Sequence, residues 1–456
     1  MSVERLVVIG GDAGGLSAAA QARRLRPADE LDIVVLEQGP EASYSACGIP
    51  YWVGGVVPDV DALVARTPKQ HRANGIDLRL RSEAMAVDLD RREVEVRDHA
   101  GASTYRLGFD HLVLATGARP RRPDLPGVDA EGIHGVQTLD DGERLLESLE
   151  REPRRAVVVG GGYIGIEMAE AMVLRGLEVT VLTRSAEPMA TLDPDMGNQV
   201  HRAMEAMGID VSTKVRLDGF ETGADRRVSA VATDAGSFPA DLVVLGTGVE
   251  PETTLAREAG LTLGRWGGLV TDLQMRVFDS DGVWAAGDCV ESIDLVSGNR
   301  VHVALGTHAN KQGRVLGTNL GGGYATFPGV VGTAVSKVCE LEIARTGLRE
   351  ADCDAVGYRW LAVSVDSTTR AGYYPDAAPI TVKLVVEQRT GRLLGGQIVG
   401  REGAAKRVDI LAVALWNRMT VEEIALLDLG YAPPFSPVWD PVLIAARKAA
   451  DAVRTG

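Results

Sequence analysis

Two distant stretches of the chain repeat one pattern. RLVVIGGDAGGLSAAAQARRL begins at Arg5, and RAVVVGGGYIGIEMAEAMVLRG begins at Arg155. Each is a short apolar run, a glycine-rich turn, and then apolar residues at helical spacing. Each leads into a second β-rich run, LDIVVLEQ and LEVTVLTR. This is βαβ written twice, and it predicts two Rossmann-type nucleotide units.

Between the units lies FDHLVLATGARPRRPDLPG, a strand ending at Thr116-Gly117 followed by a proline-rich crossing. ADLVVLGTGVEP and GVWAAGDCVE follow the second unit. From Phe327 the pattern changes. RWLAVSV, PITVKLVVEQ and LLGGQIVG alternate like antiparallel strands, and AAKRVDILAVALWNRM has the period of an amphipathic helix. The expected fold class is therefore α/β, with two Rossmann-like nucleotide-binding domains plus an α+β C-terminal domain.

Charge and cysteine content remove several function classes. A formal charge of −15 disfavours a nucleic-acid surface, and any anionic ligand must be held by local Arg, Lys or backbone N–H groups. The four cysteines, Cys47, Cys289, Cys339 and Cys353, form no CxxC pair, and no histidine cluster stands at zinc-ligand spacing. Neither a disulfide framework nor a metal site is expected. No run reaches the ~18 apolar residues of a membrane span, and the N-terminus lacks the basic start of a secretory signal. The expectation is a cytoplasmic chain with reduced thiols.

The glycine turns carry the nucleotide chemistry. Gly10 and Gly15 take the first and last places of GxGxxG, Asp12 the middle, with Ala13 and Gly14 between. Glu37, followed by Gln38, ends the next strand, where a carboxylate accepts from a ribose hydroxyl. The helix start would hold a pyrophosphate through its dipole and free N–H groups. Gly160-x-Gly162-x-x-Gly165 is complete, with Tyr163 and Ile164 inside it and Glu167 just beyond. Its second strand ends at Thr183-Arg184, where an NADH site usually has Asp or Glu. An Arg there can pair with a 2′-phosphate, which favours NADPH.

SYSACGIPYWVGG holds a lone thiol, Cys47, directly before Gly48-Ile49-Pro50. A helix starting there is expected to lower the thiol pKa through its dipole. A single cysteine cannot form an internal disulfide. Its oxidised state must be a mixed disulfide with an outside thiol or a sulfenic acid.

With LATGARP and AAGDC in their places, the chain resembles the flavin-dependent pyridine nucleotide–disulfide oxidoreductases along essentially its whole length. The resemblance implies an FAD-binding domain in two parts, 1–118 and 247–326, an NAD(P)-binding domain at 119–246, and a dimerisation domain at 327–456. It implies that Ala115, Thr116 and Gly117 close near the FAD, that Asp288 meets its ribitol, and that Gly248 lies in the cofactor region. Many members carry a CxxxxC disulfide, but the partner position here is Ala42. The chain is instead similar to the single-cysteine branch of coenzyme A-disulfide reductases, NADH oxidases and peroxidases, and persulfide reductases. The oxidases and peroxidases have a histidine where Ala13 stands. Tyr373 and Tyr431 match two tyrosines that the coenzyme A-disulfide reductases place over the cysteine of the partner subunit. Ser17, Gln21, Arg24, Ser43 and His308 match substrate contacts of those enzymes. Two of their lysines appear here as Asn74 and Trp439, and an Asn as Ala46; Arg23, Arg66 and Lys69 are candidates to compensate.

The resulting expectation is a homodimeric, FAD-dependent, NADPH-preferring reductase of low-molecular-weight disulfides, coenzyme A disulfide first, acting through Cys47. A fused rhodanese domain, found in some persulfide reductases, is not expected. Two alternatives stay open: an NAD(P)H oxidase or persulfide reductase on the same frame, and a flavin-binding redox sensor with little turnover.

Overall fold

Both glycine-turn segments fold as the repeat predicts. In the computed structural model, which describes residues 3–455, strand Glu4–Ile9 sits in an all-parallel sheet. Leu31–Leu36 and then Asp77–Arg79 lie on one side, and His111–Leu114 and then Val283–Ala285 on the other. A second parallel sheet is built around Arg155–Val159, with Glu178–Leu182 and Ile209–Ser212 on one side and Leu242–Leu245 and Ile133–Gly135 on the other. LVVI, IVVL, AVVV and LVVL are buried along nearly their whole length because helices cover both faces.

The glycines make these units possible. A Cβ on Gly15 would overlap the Gly10 carbonyl oxygen, and a Cβ on Gly165 would overlap that of Gly160. Gly10 and Gly160 take φ of 112° and 114°. Helix Gly306–Leu320 lies across Ala13–Leu25 at backbone contact: a Cβ on Gly313 would overlap the Gly14 carbonyl, and one on Gly317 that of Ala18.

The C-terminal part is a five-stranded antiparallel sheet. Its order is Ala334–Val338, Leu341–Gly347, Leu393–Gly400, Pro379–Glu387, Trp360–Thr368. Helices Val408–Trp416 and Pro441–Thr455 pack on it. The fold is thus the expected α/β class with an α+β C-terminal part. The second nucleotide unit is fastened to this sheet by a buried lysine. Lys383 Nζ lies 3.2 Å from Asp193 Oδ2, 2.7 Å from Asp195 Oδ1 and 2.8 Å from Glu350 Oε1. Among the described residues, no helix is long and apolar enough to cross a membrane.

Gly165→Ala is expected to destabilise the second unit by about 1–3 kcal/mol, because the obstacle is backbone and cannot rotate away. Calorimetry should show a lowered melting temperature, with nicotinamide nucleotide binding lost. An unchanged melting temperature contradicts the packing argument.

Candidate active site around Cys47

Cys47 lies in the 3₁₀ turn Ala46–Gly48 and is exposed. Helix Ile49–Val53 follows, with Pro50 in its first turn. The segment is pinned to both nucleotide units. Ser43 N–H donates to the Gly11 carbonyl at 3.0 Å. Ile49, Trp52 and Val53 belong to the apolar core of the second unit. A lone thiol is thereby held between the two glycine turns.

The helix is where the sequence predicts it, but the thiol pKa is raised rather than lowered as expected. Loss of water around the thiolate, then the Glu167 and Asp288 carboxylates, push the Cys47 thiol up. Cys47 is reachable from solvent, yet the walls around its sulfur and the carboxylates among them disfavour the thiolate. Sequence reasoning also missed Tyr51. Its ionisation is disfavoured by burial, then by Glu167, Glu170 and Cys47, so it stands in the same cluster. The signal was present: Cys47 and Tyr51 are four apart across a helix start.

The first glycine turn fits the FAD that the resemblance implies. Helix Ala13–Leu25 has no side-chain cap, so its leading N–H groups are free for a phosphate. Gly14 closes to the Ala286 carbonyl, with room for a Cβ only 3.1 Å from that oxygen. Gly10 is likewise against Ala115. Glu37 is held at the turn, accepting from Gly11 N–H at 2.8 Å and Gly39 N–H at 2.7 Å, while Gln38 is exposed. Burial, then Glu37, push the Asp12 carboxyl up to about 6, which eases an acid residue beside a phosphate. Asp288 is also pushed up by burial. Thr116 and Gly117 stand where the chain leaves this unit. There Ala118–Pro120 pairs with Val249–Pro251, directly after Gly248.

The second turn fits a nicotinamide nucleotide. Helix Tyr163–Leu174 is likewise uncapped, and the space beside Gly162 is open. Ile164 follows Tyr163 in its first turn. Among the described residues, no hydrogen-bond partner meets the buried Tyr163 hydroxyl. Thr183 is buried and its hydroxyl meets Ser185 at 2.8 Å. Arg184 is exposed. The nearby Glu187 carboxylate is already taken by His201 Nδ1 at 2.7 Å and Asn198 Nδ2 at 3.2 Å.

The predicted substrate residues divide. Ser17 Oγ donates to Asn310 Oδ1 at 2.8 Å, and Gln21 Nε2 to Thr318 Oγ1 at 3.2 Å, so both face helix Gly306–Leu320. His308 lies in the first turn of that helix; its Nδ1 is buried with no hydrogen-bond partner among the described residues, and burial lowers its pKa. Arg24 is exposed and lines a cavity of about 450 Å³ with Arg23, Arg66, Gln70, His71 and Asn74. Residues 43–45 pair with 63–65, which brings Arg66 to the thiol loop's flank. Arg23 is committed to the Gly75, Arg26 and Leu31 carbonyls. Lys69 is exposed and does not line the cavity. The Arg447 guanidinium lies 4.4 Å from the Trp439 ring centroid. Thus an arginine stands near each position where a lysine was missing.

Tyr373 and Tyr431 are 78% and 48% exposed, and the neighbouring Tyr431 pushes the Tyr373 phenol up. Their loops are clipped together from beneath. The buried Arg407 pairs with Asp440 at 2.9 Å and donates to the Thr369 and Phe435 carbonyls at 2.7 and 2.9 Å.

Comparison with known proteins shows the family and the fold. Residues 4–313 match the family model of pyridine nucleotide-disulphide oxidoreductase, and residues 333–441 match its dimerisation domain. An NAD(P)H sulfur oxidoreductase (CoA-dependent) of Pyrococcus abyssi is 38% identical over 97% of each chain. A solved NAD-dependent persulfide reductase from A. fulgidus superposes with a TM-score of 0.95 at 38% identity, covering 99% of this chain and 84% of that one. Reduced Bacillus anthracis CoADR-RHD superposes with a TM-score of 0.96 at 32% identity, covering 100% and 81%.

Iodoacetamide near neutral pH is expected to label Cys47 ahead of the other three cysteines. Burial pushes Cys289 and Cys339 up to about 11 and Cys353 up to about 12, so their thiolates are scarce. Peptide mass spectrometry reads the order, and faster labelling of Cys289 or Cys353 would reverse it.

Proposed function

The chain belongs to the pyridine nucleotide–disulphide oxidoreductases, and on that premise we propose that it is an NADPH-preferring reductase of coenzyme A-linked sulfur, a disulfide or persulfide taken by Cys47. The family implies FAD and a pyridine nucleotide. The observation that carries the substrate class is the arginine-lined cavity beside the thiol loop, with Arg24 and Arg66 in its wall. A coenzyme A arm is long and anionic, and on a chain of net charge −15 it needs such a local basic site. The CoA dependence in the P. abyssi protein's name supports the same reading.

When bound, FAD supplies two-electron transfer from nicotinamide to sulfur. Cys47 supplies the sulfur chemistry. Its thiolate attacks one sulfur of the acceptor, the S–S bond breaks, and a thiolate or hydrosulfide leaves with the electron pair. Cys47 then holds the remaining half as a mixed disulfide. Two electrons and a proton return it to thiolate and free thiol. Tyr373 and Tyr431, presented by a second copy of the chain, donate hydrogen bonds and a proton to the departing sulfur. Arg184 pairs with the 2′-phosphate, which no free carboxylate at that strand end opposes.

Steady-state NADPH oxidation tests this. Coenzyme A disulfide or persulfide should turn over faster than glutathione disulfide or O₂. Cys47→Ser should keep FAD and lose sulfur reduction. Arg66→Ala should raise KM for the coenzyme A substrate by roughly 10- to 100-fold, the size of one charge-assisted contact, and leave glutathione disulfide unaffected. Turnover with O₂ matching every sulfur substrate would assign an oxidase instead.

The nucleotide preference has its own test. Arg184→Ala should raise KM for NADPH by roughly 10- to 100-fold and leave that for NADH nearly alone. A wild-type enzyme that already prefers NADH would contradict it.

A further inference from the structure

Strand Glu178–Leu182 of the second nucleotide unit runs out through Thr183, and the chain returns to helix Pro194–Ala206 by a loop. That loop, RSAEPMATL at residues 184–192, carries one acidic side chain, Glu187. It is pressed against the glycine turn. Met189 N–H donates to the Gly161 carbonyl at 2.6 Å, and a Cβ on Gly161 would stand 3.3 Å from the Pro188 Cα. The Ser185 carbonyl accepts from Lys214 N–H at 3.0 Å, just past the neighbouring strand Ile209–Ser212. Arg184 and Glu187 thus share one short arch beside the turn that fits the nucleotide.

Glu187 is laid onto the helix. A Cβ on Gly197 would stand 3.0 Å from the Glu187 Cβ and 2.8 Å from the Pro188 carbonyl oxygen, so the helix offers a glycine where the Glu187 stem crosses it. Each carboxylate oxygen then meets its own donor. Oε1 accepts from Asn198 Nδ2 at 3.2 Å, and Oε2 from His201 Nδ1 at 2.7 Å. An ionised carboxylate can only accept, so Nδ1 carries the hydrogen. His201 Nε2 lies 3.6 Å from Glu205 Oε1 on the same helix. The Glu187 and His201 side chains are 21% and 18% exposed, so the contact is sheltered. Asn198 and His201 are three apart, on one helix face.

We propose that His201 and Asn198 help set the nucleotide preference by holding the Glu187 carboxylate on the helix, turned from the place where Arg184 receives a 2′-phosphate. His201 is the main positioning residue. A carboxylate loose on this arch would repel a phosphate dianion and suit a bare ribose hydroxyl. The arginine supplies attraction, and the two donors withdraw the one loop charge that would oppose it. This rests on the NADPH reading of Arg184, and its test uses binding rather than turnover.

The flavin-loaded enzyme is titrated calorimetrically with 2′-phospho-ADP-ribose and with ADP-ribose, which differ by the phosphate alone and cannot reduce the flavin. His201→Ala frees the carboxylate and should weaken the phosphorylated ligand by roughly 3- to 10-fold, with ADP-ribose unchanged. Adding Glu187→Gln to His201→Ala should restore the wild-type ratio of affinities, because the charge is gone. Asn198→Ala removes the other donor and should act in the same direction by less. If His201→Ala does not fold, Asn198→Ala with and without Glu187→Gln decides. An unchanged ratio overturns the proposal. So does equal weakening of both ligands, which marks a merely structural contact, or a selective loss that Glu187→Gln does not restore. If Arg184→Ala changes neither affinity, the NADPH reading fails, while the shift in ratio on freeing Glu187 still decides the role of His201.

Discussion

The structure depends on backbone meeting backbone. At Gly10 and Gly15, and again at Gly160 and Gly165, a strand end and a helix start approach so closely that no Cβ fits. That proximity fixes each helix over its strand with its unpaired N–H groups aimed past the sheet edge. The same device recurs where helix Gly306–Leu320 crosses Ala13–Leu25 through Gly313 and Gly317. Side chains then decorate a frame that was set without them.

Charge is distributed against the grain of the chain's acidity. Around the sulfur stand Asp12, Glu167 and Asp288, and they make the thiol harder to ionise. The arginines gather one loop away, where residues 63–66 carry Arg66 to Arg24. Positive charge thus gathers at the flank of the Cys47 loop, while the sulfur itself sits among carboxylates.

The fold was legible because its signals are local. Apolar runs, glycine turns and the switch to alternation after Phe327 each lie within a few residues, and the sheets follow them. The Cys47 helix was legible for the same reason. Its electrostatics were not, because the Glu167 and Asp288 carboxylates that act on the thiol come from far along the chain. Arg66 was a candidate to replace a lost lysine, but its place was not legible, and Arg447 was not suspected. Arg66 reaches the cavity through strand pairing, and Arg447 reaches Trp439 from the last helix. The shared use of Arg407 by two tyrosine-bearing loops is a tertiary fact with no motif.

Lys383 has a consequence for how such a chain can be recombined. It is 3% exposed, and its ammonium is shared among Asp193 and Asp195 of the nucleotide unit and Glu350 of the C-terminal part. A foreign C-terminal part without this lysine would leave the buried Asp193 carboxylate beside an interface that offers it no ammonium, and a foreign nucleotide unit would leave Lys383 with Glu350 alone; removing one partner of a buried pair costs far more than the pair contributes. The C-terminal sheet is therefore not an interchangeable module. A graft from another chain must bring a matching lysine, or carry the Asp193–Asp195 helix start with it, and inheritance of the two parts is tied together by one ammonium group.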